Sequence, residues 1–101
     1  MEHLPEQPLI ELDRWMYMVD NQTGHHVVRL SGYTKGHPKV DGKGRVFVSS
    51  PVKFDEEEKI VTTSSGKRYK LMECDGNEKE HIEYIRMDVK RYSERTRRNE
   101  M

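Results

Sequence analysis

The sequence contains no alanine and a single cysteine, Cys74, in 101 residues. One cysteine excludes an intrachain disulfide and the paired Cys-x-x-Cys spacing of zinc modules. The sequence is also without a long apolar run. Its longest uninterrupted stretch is Trp15–Val19, five residues, far short of the roughly 20 that a membrane-spanning helix needs. No apolar signal-peptide region precedes it. These absences together favour a reducing, intracellular (cytoplasmic) setting without a membrane. Net charge is missing too, since 18 basic residues offset 18 acidic ones. A neutral chain lacks the basic excess of a general nucleic-acid coat or a membrane-surface binder.

Catalytic signatures are equally scarce. The hydroxyl residues near 49–50 and 62–65 lie in no G-x-S-x-G elbow. His25, His26 and His37 flank one segment, and Asp41 and Cys74 are further donors, but no HExxH or His-x-x-x-His spacing organises them. Adjacent His25 and His26 on a strand would point to opposite faces. The glycine-rich stretch from Lys35 to Arg45 has no GxxxxGK[ST] phosphate loop. The expectation is a protein that is not an enzyme and holds no metal or cofactor.

What is present is a run of short strand-like segments followed by one helical one. Residues 1–8 carry Pro5 and Pro8 and no apolar period, and read as a flexible arm. Residues 9–20 (LIELDRWMYMVD) are rich in aromatic and β-branched side chains. They read as a strand apolar on both faces near its end, with a helix as the alternative. The turn signal Asn21–Gly24 leads into a second strand, His26–Tyr33, so the two form a hairpin. Residues 34–44 hold three glycines and a proline and read as a long loop. Val46, Val48, Val52 and Phe54 share one parity, the best period-2 signal in the chain, with Pro51 marking an edge, bulge or bend. Strands near 45–54, 59–63 and 67–73, joined by the acidic turn Asp55–Glu58 and by Ser64–Gly66, make a meander. Asn77, with Glu80 three residues on, is a helix N-cap signal. Ile82, Ile85, Val89 and Tyr92 then form one apolar stripe on a helix over 77–96. Acids gather at its start and bases at its end, including Arg97 and Arg98, which complements the helix dipole.

The fold expected is therefore one α+β domain over 9–101, β-rich over 9–74. It has a small twisted antiparallel sheet of about five strands, partly open barrel if curled, and one C-terminal α-helix. The stripe must be covered, by its own sheet in a monomer, by a second copy in a homodimer, or by another protein.

Charge is unevenly spread. Residues 1–20 hold five acids and one base, and residues 21–50 five bases and one acid. Three surfaces are candidates for partner binding. One is the basic loop with Lys35, His37, Lys39, Lys43 and Arg45; another is the acidic turn Asp55, Glu56, Glu57 and Glu58; the third is the basic helix end with Arg91 and Arg95, beside Lys90 and Tyr92. Each also has a plain reading as solubilising charge. The small size, the missing catalytic set and the split charge resemble those of many phage-encoded inhibitors of host defence (anti-CRISPR-like). That resemblance implies a protein-binding module that occupies a partner's surface. The alternative is a nucleic-acid accessory protein using the basic loop and the helix end on phosphates.

Overall fold

The computed structural model describes residues 9–21, 27–36 and 44–99. The 1–8 arm, His25, His26, His37, Lys39, Asp41 and Lys43 lie outside the described residues. Six strands come first: β1 (Leu9–Asp20), β2 (Val27–Lys35), β3 (Val46–Phe47), β4 (Pro51–Asp55), β5 (Ile60–Thr63) and β6 (Arg68–Leu71); the helix α1 (Glu78–Asn99) closes the order. The α+β class and the C-terminal helix are as the sequence suggests.

The sheet runs in the order β3-β2-β1-β6-β5-β4. It is mixed rather than wholly antiparallel, because β1 and β6 pair in parallel, Leu9 opposite Arg68 through Leu12 opposite Leu71. The expected third strand is two. Its first half, β3, pairs with β2, and its second half, β4, pairs with β5. The chain bends between them at Val48–Ser50, just before Pro51, which cannot donate to a ladder. The consequence is geometric. Six strands laid flat would hold their outer edges about 24 Å apart. The link from β3 to β4 reaches at most about 14 Å. The sheet therefore curls strongly. It does not close, since β3 and β4 do not pair.

Two local devices set the core. Asp13 faces Tyr33 and Met16 faces Ser31, so Arg14 and Trp15 share the single residue Gly32. This is a β-bulge, with Arg14 in the left-handed region at φ 50°. The extra residue switches parity. Ile10 and Leu12 before it, and Trp15 and Tyr17 after it, all face inward and are buried. On the other parity Met16 is half-buried, Met18 exposed and Asp20 buried, so the second face of β1 is only partly covered where the sequence suggested two apolar faces. The β5–β6 hairpin turns through Ser64–Gly66. The Gly66 N–H donates to Thr63 O and Gly66 sits at φ 87°, the left-handed residue that ends a three-residue hairpin loop.

α1 starts as its sequence indicates, with Asn77 Oδ1 accepting the Glu80 N–H at 3.3 Å. It packs on β4 and β1. Ile85 is fully buried in a core shared with Trp15, Tyr17, Leu30, Val48, Val61, Tyr69 and Leu71; Ile82 and Val89 pack against its edge. Most of the stripe is thus covered by its own sheet. Tyr92, the last expected stripe residue, is exposed.

The helix also contributes a residue the sequence reading passed over. His81 is buried, and its Nδ1 accepts the Tyr17 N–H at 3.3 Å. β6 has ended by this point, so the imidazole caps a β1 donor that no strand reaches. Its ring stacks parallel to Tyr17 and meets Trp15 edge-on. His81→Phe keeps an aromatic ring but removes the acceptor. It is expected to cost about 1–3 kcal/mol, the penalty for a buried donor left unsatisfied. Urea unfolding and faster exchange at the Tyr17 amide check this.

Candidate functional site

The curl leaves a seam where β2 and the bend part from the β5 end, and α1 runs beside it. The resulting groove has a volume of about 500 Å³. It is lined by Val27–Leu30 of β2, by Val48–Pro51 of the bend with Ser64, and by Asp88, Arg91, Tyr92 and Arg95 of α1. A smaller hollow continues it toward Tyr84 and Met87, sharing Val27, Val28, Asp88 and Arg91. Val27, Val28, Tyr84, Met87 and Tyr92 are all large apolar side chains left exposed here. Contiguous exposed apolar surface with a charged rim is the mark of an interaction site.

The charges of the groove are arranged by the fold. Arg29 is held by the buried Asp20 at 2.6 Å, donates to Val48 O at 3.1 Å and lies over the Phe47 ring. Asp88 accepts the Tyr17 hydroxyl at 2.7 Å, which fastens α1 to β1. Burial, with the Asp88 carboxylate beside it, pushes the Tyr17 phenol well above the usual tyrosine range. Burial raises Tyr69 as well. Below about pH 10 both phenols are protonated whether folded or unfolded. Above it the unfolded chain releases these protons and the folded chain keeps them, so stability falls as pH rises. Tyr17→Phe is therefore expected to flatten the alkaline loss of stability by up to about 1.4 kcal/mol per pH unit. Urea midpoints from about pH 9 to 11 measure it.

Arg91 and Arg95 reach the groove with less internal engagement. Arg91 is 68% exposed and its nearest carboxylate, Asp88, is 4.0 Å away. Arg95 is exposed. Of the sequence candidates, these two are the ones the fold brings together with an apolar surface.

The other candidates lie elsewhere. Lys35 is exposed at the far end of β2. Arg45 donates to Ser31 Oγ and Asp75, both at 3.1 Å, and covers the Tyr33 ring, so the fold itself engages its guanidinium. The turn Asp55–Glu58 is exposed, and Glu56 is tied to α1 by Arg86. The Arg86 guanidinium holds the Glu56 carboxyl below its usual range. Cys74 is half-buried, and burial together with Glu78 and Asp75 raises its thiol, the reverse of an activated nucleophile. Among the described residues no three metal-ligating side chains gather, and no helix is long and apolar enough to cross a membrane. The sequence reading missed the β2 wall of the groove, Val27–Leu30. A pair of adjacent valines at the start of a strand carries no sign that the strand's neighbour stops short.

The fold from β1 to the groove-lining turn of α1 coincides with a known family. Its sequence profile, SANTA (SANT Associated), matches residues 10–92. The chain belongs to the SANTA family. No curated protein and no solved structure matches it. The match starts at Ile10, on the central strand of the sheet, and ends at Tyr92. The core and all of the groove lining but Arg95 therefore fall within the matched residues. Neither the fold nor the family adds support to the phage-type inhibitor reading.

Proposed function

We propose that this SANTA domain is a non-enzymatic protein-binding module that works with SANT-type proteins, and that the seam groove is its binding surface. One observation carries the reading. The curled sheet leaves a groove of about 500 Å³ with apolar side chains and two exposed arginines; all of its lining but Arg95 lies inside the matched region. The family description, SANT Associated, supports the choice of partner class. An intracellular location, nuclear or cytoplasmic, follows from such partners.

Retention of purified SANT-domain proteins on the immobilised chain tests this. The unaltered chain is expected to retain one or more, and the groove variant Tyr92→Ala/Arg95→Glu to lose at least about tenfold in affinity, as for the loss of hot-spot contacts. Retention that the groove variant leaves unchanged moves the site elsewhere. Failure to retain any SANT-domain protein removes the reading.

A further inference from the structure

We infer that the groove takes its partner as an extended acidic segment, added as a strand to the free edge of β2. This rests on the groove reading above and specifies the shape and charge of the occupant.

The direction of the β2 backbone groups follows from its neighbours. Leu30 O accepts the Val48 N–H at 3.0 Å, so the polar groups of Leu30 point away from β1, toward the outer edge. Tyr17, opposite Leu30, gives its N–H to His81 on the other side of β1, as a residue in a non-hydrogen-bonded pair does. Val28, two residues before Leu30, points the same way as Leu30. Its N–H and C=O therefore face outward. β3 pairs only with Ser31 and Gly32, and after Val48 the chain turns off toward β4. Val28 is left with an open ladder position and no described neighbour on that side, at the wall of the groove.

The two edges of the sheet are treated differently. β4 carries Pro51, Lys53 and Asp55, the proline and charges that blunt an edge against added strands. The open part of β2 begins with Val27 and Val28, both nearly half exposed, and its Arg29 is occupied by Asp20. Strand addition gains affinity from main-chain hydrogen bonds and specificity from pockets for alternate side chains. Here the side chains opposite an added strand are Arg91, Arg95 and Tyr92. With Arg29 and Asp88 satisfied within the chain, the two remaining cations select carboxylates on the incoming strand.

The test uses the full chain, labelled with nitrogen-15, and a capped peptide of alternating glutamate and valine. Amide shifts are expected to centre on Val27–Leu30, and hydrogen exchange at the Val28 N–H to slow about tenfold. Affinity is expected to fall about tenfold for a lysine–valine peptide, and likewise for the Arg91→Glu/Arg95→Glu variant, whose helix content should be unchanged. N-methylation on one edge of the peptide is expected to abolish binding, and on the other edge to leave it intact. Equal binding of both N-methylated forms overturns strand addition while leaving the groove reading standing. Shifts confined to other surfaces, or no binding of the acidic peptide, also overturn the inference. So does tighter binding of a single-stranded oligodeoxynucleotide at the same amides. Retention of SANT-domain proteins is a separate measurement, so the two readings fail separately.

Discussion

Trp15→Ala is expected to lower stability by about 3–5 kcal/mol, the cost of emptying a large aromatic site in a packed core. Domains of this size hold only about 5–15 kcal/mol in total, so the variant sits near the unfolding threshold. Trp15 is the largest side chain in the core with no solvent exposure. It also stands at the junction of three elements. Its N–H donates to Glu73 O and its carbonyl accepts the Asp75 N–H, which continues the β1–β6 ladder beyond the bulge. Its indole N–H donates to Met72 O, and its ring meets His81 of α1. Alanine keeps the backbone bonds but leaves His81 and Ile85 facing a void. The protein has one tryptophan, so the variant is followed by far-ultraviolet circular dichroism in urea. A midpoint shift corresponding to less than about 1 kcal/mol would contradict the assigned packing.

Gly32→Ala is expected to cost about 2–3 kcal/mol, despite adding one methyl group in a strand where alanine is ordinarily no worse than glycine. A Cβ there would stand 2.8 Å from both Cγ and Cδ1 of Leu12 and 3.0 Å from the Asp13 carbonyl oxygen. Leu12 has no exposed surface into which it can retreat. Asp13 is pinned at the bulge, its Oδ1 accepting the N–H groups of Arg14 and Glu73. The strain should reach the bulge itself, so the Trp15 emission maximum is expected to move as the midpoint falls. If Gly32→Ala is as stable as the unaltered chain, the bulge is not as tightly closed as described.

These two positions show what the sequence made legible and what it did not. The strands beginning at Leu9, Ile60 and Arg68 and the helix beginning after Asn77 follow from alternation, turn residues and a cap. Such signals are local, and local signals are what a sequence displays. The bulge left a trace: the apolar parity runs Ile10, Leu12 and then Trp15, Tyr17, a shift of one that a bulge explains and two-sided burial does not. The parallel pairing of β1 with β6 left none, because periodicity describes a strand's faces and not its neighbours. The bend at Val48–Ser50 was marked by Pro51, but a proline permits several outcomes, and which edge each half joins is decided by the curl of the whole sheet. The site was half legible. Arg91 and Arg95 stand out as helix-end charges, whereas Val27 and Val28 gain their meaning from where β3 stops.

The central position of β1 has a consequence for the order in which the molecule assembles during synthesis. β1 emerges from the ribosome before the other five strands of this sheet, and β2 soon joins it. Its second neighbour, β6, is made some sixty residues later. At the usual pace of translation that delay lasts about 3–12 seconds. Throughout it, the nascent hairpin exposes Ile10, Leu12 and Trp15 beside an unpaired ladder. Nascent-chain chaperones should therefore engage this protein early and release it only once residues 68–71 have cleared the exit tunnel.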